Sequence, residues 1–400
     1  MQTGSFRWMK SLNKSIILNK ILNSGPISRA QIAKETNLTP PTVGSIVKEL
    51  IDQDIVKEST LGTSQGGRKP TMLVINYQGF YVVGVDAGPS EIETILTDLS
   101  GKVIEHHMIT IDEKVTSDSF LMMLETSIDI VLQSYWRKKD KIIGIGVAMH
   151  GVVDVDTGTS LYAPNLDLRN IPIQKSLEDR FDLMVKVEND ARALALGEVW
   201  FGQGKDTESM VAVNIGNGVG AGVAINGKLY HGDSSIAGEI GHMTVDMHGK
   251  RCSCGNKGCL QTVISGPAIA ERAVEEFDTV QQSILKTLHS ITGLDVYQAA
   301  LEGDGYAIRL LEETGEYIGI GLTNLIHLIN PTKIIIGGGV SAAQSFILDP
   351  IIKTIKKRAL TPQAKQTQVV ISDLGDKATA LGAVALLLAE LFERNGEVII

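Results

Sequence analysis

The 400-residue chain has only three cysteines, no long hydrophobic run and no tract of strongly biased composition, and each shortage excludes a class of protein. The three cysteines lie close together, which excludes a disulfide framework and favours a metal site. The longest apolar runs, over 334–340 and 383–389, are shorter than the about 18 residues of a membrane span. No apolar leader with a small-residue cleavage site is visible, so we expect a cytoplasmic protein without a membrane partner. The length of 400 residues indicates two or three domains, and hydrophobic residues at 43% with charged residues at 21% are ordinary for a globular protein.

The net charge of −9 is distributed unevenly along the chain. Residues 1–75 carry ten basic and five acidic side chains, a net charge of +5, so the remaining residues carry −14. A basic head on an acidic body is typical of a protein whose head alone binds an anionic partner.

Two helices are predicted at the start of this basic head. Apolar residues recur at helical spacing over 12–22, and the sequence Asn-Ser-Gly-Pro over 23–26 ends that helix. Ser28 followed by Gln31 predicts a capping box, in which each side chain satisfies a free backbone N–H of the first turn. The second helix therefore starts there and ends near Asn37.

A third helix is the predicted DNA-reading element. Thr39 is a good N-cap and Pro40 fits the first turn, so the helix runs from there to about residue 52. Its inward stripe has the spacing i, i+3, i+4, i+7 and i+8 and consists of Val43, Ile46, Val47, Leu50 and Ile51. Its outward positions carry short or basic donors that can reach base edges and phosphates in a major groove, namely Thr42, Ser45 and Lys48.

A glycine-rich basic loop between two predicted strands, over 55–57 and 71–75, has the composition of a wing. Its glycines allow close approach to a DNA backbone, and its basic side chains can enter a minor groove or contact phosphates; these residues are Gly66, Gly67, Arg68 and Lys69. We therefore predict a winged helix-turn-helix DNA-binding domain over 1–77, with the wing over 55–75. Its candidate DNA contacts also include Ser28, Arg29 and Thr39. The alternative is a small helical docking domain with a solvated loop.

Alternating strands and helices follow after residue 77, which indicates an α/β body with a mixed sheet. The predicted strands cover 81–85, 92–97, 103–109, 142–147, 184–187, 210–213, 221–225, 333–336 and 369–371. The predicted helical regions cover 118–136, 173–181, 267–328 and 377–392. We expect two lobes, formed by about 78–190 with the C-terminal segment 377–400, and by about 191–376.

Glycine-bearing loops follow three of these strands. They read Asp86-Ala87-Gly88-Pro89-Ser90, Gly216-Asn217-Gly218-Val219-Gly220 and Ile336-Gly337-Gly338-Gly339-Val340. Backbone N–H groups of such loops can hold a phosphate, and the candidate positions are Asp86, Gly88, Gly216, Gly218 and Gly338. Tight turns at strand ends use the same residue types, so a purely structural role stays open for each loop.

Three further motifs, together with the glycine loops and in this order along the chain, resemble the motifs of a known family. They are Val187-Glu188-Asn189-Asp190-Ala191, Gly238-Glu239-Ile240-Gly241-His242 and Cys252-Ser253-Cys254-Gly255-Asn256-Lys257-Gly258-Cys259. Together with the glycine loops they resemble the ROK family of repressors, open reading frames and kinases over nearly the whole chain. Members with a winged helix and a wing that reads Gly-Gly-Arg-x-Pro, as residues 66–70 do, are similar to xylose repressors and to the Mlc and N-acetylglucosamine repressors. The resemblance implies an actin-like, hexokinase-type (ribonuclease H-like) ATPase fold over 78–400.

The cysteine cluster and a nearby histidine match a structural zinc site. Three thiolates and one imidazole form a closed four-coordinate set within the loop over 242–259, from His242, Cys252, Cys254 and Cys259. No coordination position stays open, so we expect this zinc to fix the loop and not to catalyse a reaction. The alternative is a group of buried thiols without a metal.

The resemblance also implies a sugar pocket. In kinases of the family, sugar hydroxyls are bound by residues that match Gly151, Asn165, Asn189, Asp190, Glu239 and His242, and by a glutamate two residues after the last cysteine. That last position is Gln261 here, which is uncharged but still forms hydrogen bonds, so we expect a sugar to bind with altered selectivity. The alternative for Glu239 is an ordinary solvated carboxylate.

Only half of the kinase apparatus is present in the sequence. Asp190 matches the general base that takes a proton from the sugar hydroxyl during phosphoryl transfer. The kinase phosphate loop of the type Asp-x-Gly-Gly-Thr has Pro89 here, which removes a backbone N–H donor and the conformational freedom of glycine. We therefore expect little use of ATP and no appreciable kinase activity.

The leading hypothesis is a sugar-responsive repressor of a carbohydrate-utilisation operon, with xylose as the first candidate and glucose and N-acetylglucosamine as alternatives. As a homodimer or homotetramer it would bind a palindromic operator. The main alternative is an ATP-dependent, glucokinase-like sugar kinase with an accessory DNA-binding head. A third hypothesis, which the resemblance to Mlc allows, is a sensor controlled by a protein of the phosphotransferase system.

Overall fold

The computed structural model describes residues 2–61, 70–111, 114–278, 280 and 282–395. Its N-terminal head contains three helices, α1 (Gln2–Ser24), α2 (Arg29–Thr36) and α3 (Pro40–Asp52). Three strands, β1 (Ile27–Ser28), β2 (Val56–Leu61) and β3 (Thr71–Ile75), form a sheet in the order β1-β3-β2. A helical core followed by an antiparallel hairpin confirms the predicted winged helix-turn-helix. The wing tip with Gly66, Gly67, Arg68 and Lys69 lies outside the described residues.

Local signals set most of the helix ends in the head. The Gln31 backbone N–H donates to Oγ of Ser28 at 3.2 Å, and α2 ends at Asn37 in the left-handed conformation with φ 59°. The predicted capping box is wrong in its second half, because the Gln31 side chain donates to Glu35 at 2.8 Å and does not return to Ser28. Helix α1 begins at Gln2, earlier than predicted, because an established helix extends at one hydrogen bond per residue without a continuous apolar stripe.

The predicted inward stripe of α3 forms the centre of the head. Val43, Ile46, Val47 and Leu50 are buried, whereas Ile51 is only partly buried. They share one apolar cluster with buried residues of α1 and of the hairpin, namely Ile17, Leu18, Ile21, Val56, Leu73 and Ile75. Burial of this stripe turns the opposite, polar face of α3 outward.

The first lobe of the body is built on a five-stranded sheet. Its strands are β4 (Tyr81–Ala87), β5 (Glu91–Asp98), β6 (Val103–Thr110), β7 (Ile142–Met149) and β11 (Met184–Asn189), in the order β11-β7-β4-β5-β6. Strands β4, β7 and β11 are parallel, and β5 and β6 are antiparallel to their neighbours. Two helices pack against this sheet, α4 (Ser117–Leu132) and α5 (Ile173–Phe181). A small sheet of β8 (Val152–Asp154), β9 (Thr159–Ala163) and β10 (Leu168–Ile171) was not predicted, because each strand is short.

The second lobe repeats the same strand order. Its strands are β12 (Ser209–Ile215), β13 (Val219–Ile225), β14 (Lys228–Tyr230), β15 (Lys333–Gly337) and β16 (Gln368–Ile371), in the order β14-β13-β12-β15-β16. In both lobes the first three strands form an antiparallel meander, and the next two extend the sheet in parallel beside the first strand. This duplication is the architecture of the actin-like fold that the resemblance implied.

The remaining helices cover the second sheet and fill the space between the two sheets. They are α6 (Asp190–Trp200), α7 (Gln261–Ile264), α8 (Gly266–Glu275), α9 (Gly293–Leu301), α10 (Gly305–Ile329), α11 (Gln344–Arg358) and α12 (Ala378–Ala389). The predicted helical region over 267–328 is thus divided among three helices. Helices α6 and α12 pack closely against each other: a Cβ atom at Gly382 would lie 1.8 Å from the Ala193 carbonyl oxygen. Within the described ranges, no helix is long and apolar enough to span a membrane.

The end of the chain attaches the head to the body. After α12 the chain forms a π-helical turn over Glu390–Asn395, and Phe392 is buried in the same apolar cluster as Ile17 of α1. The Asn19 side-chain amide donates to the Phe392 carbonyl oxygen at 2.6 Å. This cluster continues through the first lobe, so the head and the body share one hydrophobic core.

Candidate functional site

Three parallel strands of the first lobe end side by side. In the strand register, Ala87 of β4 lies opposite Met149 of β7, and Met149 lies opposite Asn189 of β11. The residues that follow these strand ends therefore meet at one edge of the sheet. In open α/β sheets, ligands bind at this carboxyl edge. We call this region the strand-end cleft, and it is formed by Asp86, Ala87, His150, Gly151, Asn189 and Asp190.

Asn189 organises one side of the strand-end cleft. Its Oδ1 accepts hydrogen bonds from the backbone N–H groups of Ala191 (3.1 Å) and Arg192 (3.2 Å), which makes it the N-cap of α6. Its Nδ2 donates to the Gly151 carbonyl oxygen at 3.0 Å and to Oδ1 of Asp190 at 2.8 Å. The structure thus brings three predicted sugar contacts, Gly151, Asn189 and Asp190, into one hydrogen-bonded group.

Gly151 occupies a place where no other residue type fits. Its φ is +86°, and a Cβ atom there would lie 2.2 Å from the Tyr162 carbonyl oxygen of β9. The small sheet therefore packs directly on the backbone of Gly151. Asn165, another predicted sugar contact, is exposed in the turn between β9 and β10.

Two partly buried carboxyl groups, those of Asp86 and Asp190, belong to the strand-end cleft. Burial raises the pKa of Asp190, although its hydrogen bonds and the neighbouring His150 oppose this change. Burial, together with the charge of Asp190, raises the pKa of Asp86 well above its ordinary value. Asn214 of β12 donates to Asp190 at 3.4 Å, so the second lobe also contacts this carboxyl group. Such a carboxyl at the end of the cleft can accept a ligand hydroxyl or hold its proton.

A buried ion pair connects the first lobe to the loop that carries Glu239. Glu188 accepts a hydrogen bond from Arg192 Nε at 2.7 Å, and its second oxygen lies 2.7 Å from His231 Nε2. Arg192 also donates to the Ser235 carbonyl oxygen at 2.8 Å. Sequence analysis missed this network, although the i, i+4 spacing of Glu188 and Arg192 is a signal for the pair.

Four residues of the predicted zinc site lie together. The ligand atoms of His242, Cys252, Cys254 and Cys259 are all within 4.8 Å of one another. His242 Nδ1 lies 3.6 Å from Cys252 Sγ, and the sulfur atoms of Cys254 and Cys259 are 3.7 Å apart. One imidazole nitrogen and three sulfur atoms are the ligand set of a structural zinc site, so the residues fit this metal.

The thiols of this cluster differ in acidity. Burial opposes ionisation of Cys252, but hydrogen bonds from Cys254 and His242 outweigh it and lower the pKa of Cys252 to about 6. Burial and the neighbouring sulfur atoms raise the pKa of Cys259 to about 12. Hydrogen bonds within the cluster therefore favour the thiolate at Cys252, and the thiolate is the form of cysteine that binds a metal.

His242 can serve both of its predicted roles because its two nitrogens face different groups. Nδ1 faces the sulfur atoms, whereas Nε2 lies 3.8 Å from Glu239 Oε2. Glu239 is half-exposed, and its partial burial raises its pKa despite the opposing charge of His242. The Gln261 amide donates to Cys252 Sγ at 3.2 Å, so this side chain is directed toward the thiol cluster.

The predicted phosphate loops use part of their backbone donors internally. The Gly88 N–H donates to the Glu91 carbonyl oxygen at 3.0 Å, and Pro89 has no N–H group. In the second loop, the Gly216 N–H donates to the Gly218 carbonyl oxygen at 2.9 Å. Gly338 has φ +81° beside Asn214 in the third loop. The first loop consequently offers few donors to an anion.

The outward face of α3 is polar and accessible. Thr39, Ser45 and Lys48 are exposed, and Thr42 is partly buried with its hydroxyl 2.9 Å from that of Thr39. Two other predicted DNA contacts have partners within the head: Ser28 caps α2, and the Arg29 guanidinium lies 2.9 Å from Glu58 of β2.

Comparison with known proteins supports this arrangement over nearly the whole chain. The model described as ROK family matches residues 82–390, and one described as winged helix-turn-helix DNA-binding matches 14–57. The chain is 33% identical to a putative xylose repressor of Caldicellulosiruptor sp. strain Rt8B.4 over 391 residues, 97% of this chain and 98% of the relative. It is 35% identical to the DNA-binding transcriptional dual regulator NagC of Escherichia coli strain K12 over 386 residues, 96% of this chain and 94% of the relative. A crystal structure of a ROK family transcriptional regulator, a homologue of the E. coli MLC protein, has a TM-score of 0.85 at 32% identity and covers 95% of this chain and 96% of its own.

Proposed function

This chain belongs to the ROK family, and on that basis we propose that it is a sugar-responsive transcriptional repressor of a carbohydrate-utilisation operon. The observation that carries the proposal is the shared core of the head and the lobe that holds the strand-end cleft. Asn189 and Asp190 begin α6, α12 packs along α6, and the chain then continues into the turn that contacts α1. A ligand in the cleft is therefore mechanically connected to the DNA-reading head.

DNA binding is assigned to the head. The exposed donors of α3, Ser45 and Lys48, can contact bases and phosphates. The sequence of the predicted wing adds two positive charges, those of Arg68 and Lys69. We propose that two heads of a homodimer or homotetramer bind the half-sites of a palindromic operator. Because this ligand is genomic DNA, we place the protein in the cytoplasm.

The effector is assigned to the strand-end cleft and the adjacent loop of the second lobe. Asn189, Asp190, Glu239 and His242 offer several hydrogen-bonding groups for sugar hydroxyls, and Gly151 and Asn165 lie on the first-lobe side. Xylose is our first candidate because of the named relative, and N-acetylglucosamine and glucose are the next ones. We expect Gln261 to act on the sugar indirectly, through Cys252.

Zinc is the metal that the residues His242, Cys252, Cys254 and Cys259 fit. Bound zinc would supply a fixed cross-link and no open coordination position for chemistry. Bound zinc would fix the orientation of His242, and through it the position of Glu239, at the edge of the cleft. Lys250 of the same loop forms ion pairs with Glu271 at 3.1 Å and with Glu275 at 2.7 Å, both on α8, so the loop also contacts that helix away from the metal ligands.

Two further functions of the same site are candidates. Kinase activity is favoured by Asp190, a partly buried carboxyl with a raised pKa at the N-terminus of α6, and disfavoured by Pro89 and by the internally bonded Gly88 N–H. Control by a phosphotransferase-system protein is a second alternative, which rests on the similarity to an MLC homologue.

Fluorescence anisotropy on labelled DNA from upstream of the protein's own operon tests the proposal. The titration is carried out at fixed salt with xylose, glucose, N-acetylglucosamine and their phosphates, since salt alone changes affinity strongly. Specific binding that one sugar releases supports the repressor and identifies its effector. Release requires that the sugar bind more tightly to the arrangement that does not bind DNA. No specific binding under any condition refutes the repressor, and an ATP-dependent phosphorylation assay would then test the kinase.

A further inference from the structure

His150 is a buried side chain of the strand-end cleft that none of the predicted roles uses. It directly follows β7, between Ala87 at the end of β4 and Asp190 after the end of β11. Its Nδ1 lies 2.9 Å from the Ala87 carbonyl oxygen, and only 5% of the residue is exposed. Because a carbonyl oxygen can only accept, Nδ1 must carry the hydrogen in this contact.

The second ring nitrogen of His150 has no partner. Within the part of the chain that the structure describes, Nε2 is buried and forms no hydrogen bond. Burial lowers the pKa of His150, which keeps the imidazole neutral near pH 7. With the hydrogen on Nδ1, Nε2 of a neutral ring is an acceptor with a free lone pair. A buried acceptor without a donor is unfavourable, so this position is suited to a ligand that supplies one.

We propose that Nε2 of His150 accepts a hydrogen bond from one hydroxyl group of the effector sugar, beside Asp190, and that His150 thereby determines sugar specificity. This inference rests on the proposed function, because it assigns the sugar to the strand-end cleft. An ionised phosphate there would offer no hydrogen to Nε2, whereas a sugar hydroxyl does.

The test uses two replacements that separate the nitrogens of the imidazole. In His150→Asn the side-chain amide can still donate to Ala87 from the place of Nδ1, but no atom reaches the place of Nε2. In His150→Gln the amide oxygen can reach that place and accept the sugar hydroxyl. His289→Leu is a matched control, since His289 is exposed and lies far along the chain from the cleft residues. Isothermal titration calorimetry of the full-length protein gives Kd for xylose, glucose and N-acetylglucosamine, and then for the monodeoxy derivatives of each sugar that binds.

We expect His150→Asn to raise Kd for the cognate sugar about tenfold to a hundredfold, as loss of a buried hydrogen bond does. One monodeoxy derivative should bind the wild type as weakly as His150→Asn binds the parent sugar, and its Kd should not change in His150→Asn. His150→Gln should restore part of the affinity, and His289→Leu should match the wild type.

Three results overturn the inference. The first is a wild-type Kd in both His150 variants, which would leave the repressor proposal intact. The second is a loss of affinity that is equal for the parent sugar and every monodeoxy derivative, because a purely structural role of His150 predicts it. If none of the sugars binds the wild type, the inference and the proposed effector class fail together. Far-UV circular dichroism checks the fold of each variant, and His150→Gln keeps the test decisive if His150→Asn does not fold.

Discussion

Glu188→Gln removes the negative partner from an ion pair that is buried on both sides. The Glu188 and Arg192 side chains are 4% and 2% exposed, and their N···O distance is 2.7 Å. After the replacement, the Arg192 guanidinium remains buried and charged, with neutral acceptors such as the Ser235 carbonyl oxygen and no negative partner at residue 188. Breaking one side of a buried pair costs about 3–5 kcal/mol, so we expect the free energy of unfolding to fall by this amount.

The chain contains a matched control for this replacement. Lys175 and Asp179 of α5 have the same i, i+4 spacing and the same 2.7 Å distance, but their side chains are 76% and 67% exposed. Water screens this pair, so Asp179→Asn should leave the stability unchanged within error. Urea unfolding followed by circular dichroism compares the midpoints of both variants with that of the wild type at equal m-values. Equal midpoints for Glu188→Gln and Asp179→Asn would refute the argument from burial.

The effect of Glu188→Gln should depend on pH in a defined direction. Burial opposes ionisation of Glu188, but the hydrogen bond from His231 and the charge of Arg192 lower its pKa below 4.5. A carboxyl with a lowered pKa stabilises the folded state above its unfolded pKa, and this contribution disappears as the pH falls through the folded pKa. The stability difference should therefore be complete at pH 7 and shrink below about pH 4.5. A difference that grows on acidification would contradict the direction of this pKa shift.

Three other replacements test separate parts of the protein. Arg68→Ala should weaken operator binding and reduce its salt dependence by about one ion without changing sugar affinity, and an unchanged operator affinity would argue against the wing assignment. Cys254→Ser should lower zinc content, measured by mass spectrometry, together with the Tm, and full zinc occupancy would exclude Cys254 as a ligand. Phe392→Ala should cost about 3–5 kcal/mol of stability, because Phe392 is 1% exposed and lies 5.7 Å from the Trp200 ring. A loss below about 1 kcal/mol would show that the core at the head is not continuous.

Elements with a one-sided apolar pattern were predictable from the sequence. Helix α3 has an N-cap, a first-turn proline and one buried stripe, and the structure confirms its limits at Pro40–Asp52. Helix α6 was missed because residues 191–198 are all buried, so no polar face marks its period. Helix α11 was also missed, and Pro350 within it is a residue that normally indicates a helix end.

The candidate site was predictable where it consists of short motifs. The cysteine cluster and the Asn189-Asp190 pair are contiguous or nearly so, and the structure brings their members together. His150 and Ala87 are 63 residues apart, and only the strand register places them next to each other. The direction of the Gln261 amide toward Cys252 likewise depends on the folded loop, which spacing alone does not specify.

The contact between Asn19 and Phe392 has a consequence for the synthesis of the protein. The two residues are 373 positions apart, so the head leaves the ribosome long before the segment that covers it exists. At about 5–20 residues per second, this delay is roughly 20 to 75 s. Until then, α1 lacks its apolar partner from the C-terminal turn. A nascent chain that has not reached Phe392 therefore exposes apolar surface of α1 to solvent, and the core between the head and the body is complete only once this segment is present.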